Sequence, residues 1–295
     1  MKCRICGKEA EIKLPEHNIA LCREDFINFF ERRVSKAIKK YRMFKKNENI
    51  LVAVSGGKDS LALWYVLNKL DYKTYGYYLH LGIKEYSDKS LELIEKFAKK
   101  NNLKFTVEYV KEKLGYTIEE IAQKTRHTPC SICGTIKRYY MNFFASNFDC
   151  IATGHNLDDE VGVLFHNTLN WEIEYLARQY PVLQKEGSLN KKVKPLILVT
   201  EKETTAYAFY NDIEYIEQEC PLVRGSTFLR NKHIINYIEN RMPGTKLRFY
   251  TGFLKNHRLF GKPEKKELNA CKECGYLTIG ELCFICKLKK RLQSS

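Results

Sequence analysis

Residues 51–60 read Leu-Val-Ala-Val-Ser-Gly-Gly-Lys-Asp-Ser, and no other stretch limits the fold so tightly. An apolar run of strand length ends on two glycines and passes straight into a segment patterned as a helix. Glycines let a backbone close on an anion, and the first turn of the following helix offers unpaired amides and a favourable dipole. The stretch is not a Walker A loop: Val52 stands at the first-glycine position, and Asp59 follows Gly57-Lys58 where Ser or Thr is required. A plain strand-to-helix turn capped by Asp59 is the alternative. Adjacent glycines flanked by Ser55 and Ser60, with Lys58 inside, are too particular for it.

Around this loop the pattern alternates. Strands are expected at 50–54, 74–81, 104–109 and 150–153, and helices at 59–70, 87–100, 117–124, 136–147 and 158–169. Such alternation predicts an α/β domain with a parallel sheet covered on both faces and ligands at the carboxyl ends of its strands. Five segments follow: 1–27 with Cys3, Cys6 and Cys22; a basic linker helix over 28–48; the α/β domain over 49–222; a helical extension over 223–262; and a cysteine-rich end over 268–295. Phe29, Phe30, Val34, Ile38 and Tyr41 mark the apolar face of the linker helix, which is expected to reach residue 46. Further helices are expected at 203–211 and 225–239, and a polar Lys/Glu-rich linker at 262–270.

Charge narrows the partners. The chain has 50 Lys+Arg against 35 Asp+Glu, a net charge of +15. An excess of that size suits a polyanion, since cations that neutralise phosphates release counterions. Arg32, Arg33, Lys36, Lys39, Lys40, Arg42, Lys45 and Lys46 crowd the linker helix, and Lys287, Lys289, Lys290 and Arg291 repeat the theme near the end. Too few large apolar residues accompany that second cluster for a membrane surface, so nucleic acid is favoured. Apolar residues make up 44% of the chain, and no apolar run approaches the about 20 residues of a bilayer span. With Met1-Lys2-Cys3-Arg4 at the start and no signal-peptide core, a cytoplasmic protein is expected.

Eleven cysteines at short spacings fit thiolate ligands in a reducing compartment better than disulfides. Cys271, Cys274, Cys283 and Cys286 form two Cys-x-x-Cys knuckles, the pattern of a structural zinc ribbon with a closed coordination shell. Cys130 and Cys133 form another pair, which by itself suits a redox couple, half a zinc site or part of an iron–sulfur site. Cys220 is its distant third candidate; three thiolates would leave one iron of a [4Fe–4S] cluster open to sulfide or a substrate atom. A persulfide relay through the same thiols, without iron, is the rival reading. Cys150, at the start of a buried strand, is expected in the core.

The loop resembles the signature Ser-Gly-Gly-x-Asp-Ser of the PP-loop (N-type) ATP pyrophosphatases. With the Cys130/Cys133 pair, Cys220, 154–160 and the cysteine-rich ends, the chain resembles the TtuA/NcsA family of tRNA 2-thiouridine synthetases nearly end to end. The resemblance implies a parallel-sheet PP-loop domain flanked by N- and C-terminal zinc-binding motifs. It implies a tRNA sulfurtransferase that adenylates a uridine O2 with ATP and puts sulfur in its place, at wobble U34 or T-loop U54. The implied cofactors are ATP, Mg²⁺, a [4Fe–4S] cluster on Cys130, Cys133 and Cys220, and two Zn²⁺. Ala53, Ser55, Gly56, Gly57, Lys58, Asp59, Ser60, His80 and Gly154 would surround the nucleotide, with Lys137 and Asp159 catalytic. One of Asp158 and Asp159 would serve as a helix cap. In the family the fourth N-terminal zinc ligand is a histidine; here Asp25 occupies that position. His17 is the competitor, five residues from Cys22 or about 16 Å of extended chain, and Asp25 is favoured. The implied partners are tRNA and a sulfur donor, either a ubiquitin-like thiocarboxylate carrier or sulfide, and the protein is expected to be a homodimer. Amine ligation, as in lysidine synthesis, and non-catalytic RNA binding by a zinc-ribbon protein are the competing functions.

Overall fold

The computed structural model describes residues 1–223, 227–261 and 268–293. Residues 262–267 of the expected linker, the start of the helix expected at 225, and the last two residues of the ribbon segment lie outside the described residues.

A short hairpin of β1 (Ile12–Leu14) and β2 (Ile19–Leu21) leads into α1 (Arg23–Lys40). Then come β3 (Asn49–Ala53), α2 (Lys58–Lys69), β4 (Lys73–His80), α3 (Lys84–Lys100), β5 (Phe105–Tyr109), α4 (Val110–Leu114), α5 (Ile118–Thr125) and α6 (Pro129–Phe144). The chain continues through β6 (Cys150–Thr153), α7 (Leu157–Leu169), α8 (Ile173–Arg178), β7 (Val182–Leu183), β8 (Lys192–Val193) and α9 (Glu201–Tyr210). It closes with α10 (Thr227–Arg241), α11 (Thr245–Asn256), β9 (Asn269–Ala270), β10 (Leu277–Thr278) and α12 (Phe284–Gln293).

The six-stranded sheet runs β5-β4-β3-β6-β8-β7, parallel except for the β7 edge. Ile50, Leu51 and Val52 are fully buried, because β3 is covered on both faces. After β3 the chain adds β4 and β5 on one side, then returns to place β6 on the other. That reversal opens a crevice at the carboxyl ends of β3 and β6. The two-residue strands β7 and β8 were not expected; neither is long enough to show a period.

Two helices depart from expectation in ways that matter for the site. α1 begins at Arg23, with Cys22 as its N-cap residue, and ends at Lys40 instead of 46. The left-handed Arg42 (φ 50°) turns the chain back into the core at Met43. Its buried stripe starts one turn earlier than expected, at Phe26, and Phe30 stacks on Tyr207 of α9 at 4.1 Å. α6 begins at Pro129, not at 136; a proline is at home in the first turn, where its missing N–H has no partner to lose. Cys130 and Cys133 thus lie one turn apart on one helix face.

The β9–β10 ribbon docks on α6. Tyr276 packs on Tyr139 at 5.0 Å between ring centres and accepts a hydrogen bond from Asn142 Nδ2 at 3.4 Å. Cys150 is fully buried in β6, where burial pushes its thiol up to about 12. Among the described residues no helix is long and apolar enough to cross a membrane.

Candidate active site

The crevice between β3 and β6 holds a cavity of about 420 Å³. Its walls come from Ala53, Ser55, Asp59 and Ser60 after β3, from Thr153, Gly154, His155 and Asp159 after β6, and from Tyr77, Leu79 and Leu81 on and after β4. Tyr86 of α3 and Lys137 of α6 complete it.

The phosphate loop is built by two close approaches. Gly56 takes φ +76°, and a Cβ there would stand 3.0 Å from the Ser90 backbone. Ser60 Oγ accepts from Ser55 N at 3.0 Å and donates to Gly57 O at 2.9 Å, closing the loop on itself. Gly57 caps α2 without a side-chain bond, so the first-turn amides stay available to an anion. The chain returns later to support the loop: Ile216 N donates to Gly56 O at 2.9 Å, four residues before Cys220.

The second loop fits against the first. Gly154 leaves no room for a Cβ, which would fall 2.9 Å from the carbonyl carbon of Asp59 and from Ser60 N. Asn156, not an aspartate, caps α7, with its Oδ1 accepting from Asp159 N at 3.1 Å. Asp159 Oδ2 returns the bond by accepting from Asn156 N at 3.2 Å, so Asp159 completes a capping box. Asp158 is buried; it accepts from Glu201 N at 2.9 Å and pairs with Lys246 of α11.

Beside the cavity the charged groups form a chain from Asp59 to Asp159, which Asn156 closes into a ring by donating its Nδ2 to Asp59 and its backbone N–H to Asp159. Lys58 Nζ binds Asp59 Oδ2 at 3.2 Å and Glu201 Oε1 at 2.7 Å. Lys232 Nζ, from α10, binds Glu201 Oε2 at 2.9 Å and Asp159 Oδ1 at 3.0 Å. Burial pushes the Glu201 carboxyl up, but the two ammoniums outweigh it and hold the group down at about 2. Burial also pushes the Asp59 carboxyl up, against the pull of Lys58, with the charge of Asp159 adding to the rise. Glu201 and Lys232 were not singled out in the sequence. Thr200-x-x-Glu203 marks the start of α9 as a capping box, but only tertiary packing reveals what Glu201 faces.

At the α6 wall the three singled-out thiols come near enough to feel one another's charge, without the 4.8 Å spacing of the terminal cysteine sets. Cys130 Sγ lies 3.9 Å from Leu222 O, beside the Cys220 segment. Burial pushes the Cys133 thiol up; the neighbouring Lys137 ammonium pulls it back, and Cys220 and Cys130 press it higher. The Tyr86 hydroxyl, raised chiefly by burial, also feels Cys220 and Cys133. The remaining sequence candidates divide. Ala53, Ser55, Asp59, Ser60, Gly154, Lys137 and Asp159 line the cavity, Gly56 and Gly57 shape its loop, and Lys58 turns to Glu201. The His80 ring turns to Asp88 at 3.0 Å and packs on Tyr109, and its neighbours Leu79 and Leu81 line the cavity in its place.

Among the described residues, two sets of four potential ligands each have their ligand atoms within 4.8 Å of one another. One is Cys271, Cys274, Cys283 and Cys286. The other is Cys3, Cys6, Cys22 and Asp25, with Asp25 Oδ2 3.1 Å from Cys3 Sγ and 3.3 Å from Cys22 Sγ. His17 lies elsewhere: its Nε2 is 3.0 Å from Glu203 Oε1, beside Arg33. Arg33 therefore belongs to the packing of α1 on α9, while Arg32, Lys36, Lys39 and Lys40 keep the outer face basic.

Residues 28–233 match the PP-loop domain family, and residues 2–27 match the N-terminal LIM domain of 2-thiouridine synthetase TtuA. The chain is 48% identical to a tRNA-5-methyluridine(54) 2-sulfurtransferase of Pyrococcus horikoshii, covering 99% of this chain and 96% of that one. It is 44% identical to the protein of the same name from Thermotoga maritima, covering 99% and 97%. Among solved structures it is similar to a U34-tRNA thiolase NcsA from Methanococcus maripaludis with its [4Fe–4S] cluster. The TM-score there is 0.84 and the identity 29%, over 99% of this chain and 96% of that one.

Proposed function

Because the chain belongs to the TtuA/NcsA family of PP-loop tRNA 2-thiouridine synthetases, we propose that it replaces O2 of uridine 54 in tRNA with sulfur, using ATP. It is an ATP-dependent tRNA 2-sulfurtransferase. One observation carries the reading: the wall of the phosphate-loop cavity opposite the loop bears Lys137, and Lys137 stands beside Cys133 of the thiol trio. Position 54 is favoured over 34 because the relatives at 48% and 44% identity carry it in their names, whereas the U34 enzyme is 29% identical.

The reaction divides between the two ends of the cavity. Uridine O2 attacks the α-phosphorus of ATP, the bond to the β-phosphate breaks, and pyrophosphate leaves into the loop. There the first-turn amides of α2 and Lys58 receive the negative charge. Asp59 and Asp159 offer the carboxylate oxygens that suit Mg²⁺. Adenylation makes O2 a leaving group; a sulfur nucleophile adds at C2, and AMP departs with the oxygen. Lys137 faces this step and stabilises the negative charge that sulfur addition to C2 pushes onto the ring nitrogen and the departing oxygen. Three free thiols gathered beside the cavity are the donor set an open-iron cluster requires, and Cys130, Cys133 and Cys220 would hold it. Bound there, the cluster would supply an open iron for the sulfur. To reach the α-phosphate, the target base must leave its stack.

The ribbons at the two ends hold structural zinc in this reading, through Cys3, Cys6, Cys22 and Asp25 and through the last four cysteines. Their basic surroundings, with α1, supply the tRNA face. The division into finger, linker helix, PP-loop domain, helical extension and ribbon is part of the same proposal. So are a thiocarboxylate carrier or sulfide as donor, and a homodimer. Relatives named cytoplasmic tRNA 2-thiolation proteins support action in the cytoplasm.

The test is nucleoside mass spectrometry on an unmodified tRNA transcript, incubated anaerobically with iron-reconstituted protein, Mg-ATP and sulfide. A 2-thiouridine signal that maps to position 54 and requires ATP and Cys130 is the expected result. Thiolation mapped to position 34 would move the site. No thiolation with sulfide or a thiocarboxylated carrier, despite tRNA binding, would remove the activity.

A further inference from the structure

Lys58 lies in the phosphate loop, whereas Lys232 comes from α10, yet the two are held in matching ways. Each ammonium has one bond to a cavity-wall aspartate and one to an oxygen of Glu201. Both side chains are mostly shielded, at 20% and 15% exposure. Three carboxylates thus share these two ammoniums.

A triphosphate entering this cavity cannot face carboxylates directly. Its oxygens need cations, and the metal it brings needs the carboxylates. The ring already holds both sets, paired with each other. α10 does not depend on the charged bonds for its place, since it packs along α7 and buries Ile235 in the core. We propose that Lys232 is a nucleotide-phosphate ligand of the reaction, held on Asp159 and Glu201 until Mg-ATP enters. Glu201 is the positioning residue that keeps Lys58 and Lys232 on one side of the phosphates. This rests on the ATP-dependent reading above. It also gives α10, the helix after Cys220, a part in sensing the nucleotide.

Titration calorimetry with α,β-methylene-ATP, which resists cleavage at the bond in question, tests the assignment. With Mg²⁺ present, Lys232→Met is expected to weaken analogue binding about ten- to a hundredfold, the loss of one charge-assisted hydrogen bond, while tRNA binding stays at the wild-type level. Glu201→Gln removes the one carboxylate that both ammoniums share, so binding of the analogue without Mg²⁺ is expected to tighten. Unchanged analogue affinity in Lys232→Met, with or without a lower melting temperature, would make Lys232 a brace for α10 and overturn the proposal. Should Lys232→Met fail to fold, unchanged or weaker Mg²⁺-free binding in Glu201→Gln overturns it equally. A wild-type protein that does not bind the analogue would overturn the ATP-dependent reading as well, whereas an unaffected variant beside a binding wild type sinks only this inference.

Discussion

Asn156 Nδ2 donates to Asp59 Oδ1 at 3.0 Å, tying the start of the helix after β6 to the phosphate loop after β3. The two loops, nearly a hundred residues apart in sequence, behave as one surface because Gly154 lets their backbones touch. Gly154→Ala places a methyl carbon where Asp59 and Ser60 already have backbone atoms, and neither can retreat. Overpacking of this kind costs about 1–3 kcal/mol. Here it opens the phosphate loop, so nucleotide affinity is expected to fall by more than tenfold while the melting temperature drops only a few degrees. Isothermal titration and thermal melts on the same sample would show it; wild-type affinity in Gly154→Ala would separate the two loops.

The N-terminal finger allows a clean ligand test. Asp25 sits against Cys3 and Cys22, and His17 sits against Glu203. Elemental analysis is expected to find two zinc ions per chain in the wild type, one in Asp25→Ala, and two in both Asp25→His and His17→Ala. His17→Ala should instead lower stability by about 1–3 kcal/mol, because the fully buried Glu203 loses one of its partners. Loss of zinc in His17→Ala would reverse the ligand assignment.

Cysteine variants should fall into two groups. Cys130→Ala and Cys220→Ala are expected to lose the visible iron–sulfur absorption and all thiolation while keeping tRNA affinity. Cys150→Ala, in the core of β6, should keep its iron and lose about 1–2 kcal/mol of stability through the small cavity it leaves. An anaerobic spectrum and a urea melt on each variant distinguish the groups. Full activity in Cys130→Ala would take that thiol out of the mechanism.

Acid stability should carry the mark of Glu201. Its carboxyl is held at about 2 in the fold against an ordinary 4.5, so the folded state binds its proton less readily than the unfolded chain does. The resulting stabilisation is complete above pH 4.5 and is lost as pH falls from 4.5 towards about 2. Lys58 and Lys232 face it, with Asp59 and Asp159 beyond them. The melting temperature of Glu201→Gln is therefore expected to vary less with pH than the wild type across that interval. Parallel curves for the two proteins would show that the ring does not contribute to acid stability.

Most of the chemistry could be read in the sequence because it depends on short spacings. Two glycines after an apolar strand, paired cysteines two residues apart and an acidic turn after Gly154 each constrain a few adjacent residues, and local geometry does the rest. Helix limits were less legible. The apolar periodicity of α6 continues across Ile132, but Pro129 and the cysteines mask it, so the Cys130/Cys133 pair reads as lying ahead of the helix and not on it. For α1 the basic run beyond Lys40 suggested more helix than Arg42 permits.

The strand–loop–helix unit with its phosphate-loop signature, the alternation that makes a parallel sheet, and the thiolate pairs are all legible in the order of residues. All of these follow from hydrophobic period and from residue types whose chemistry is local. It takes the packed fold to set Asp25, not His17, with the first cysteine set, to bring Cys220 back near Cys133, and to gather Lys58 and Lys232 on Glu201. Those pairings join residues from separate elements, and side-chain direction is set by packing, which no sequence period encodes. The His80 ring shows the same limit: its place on β4 could be read, but its turn towards Asp88 could not.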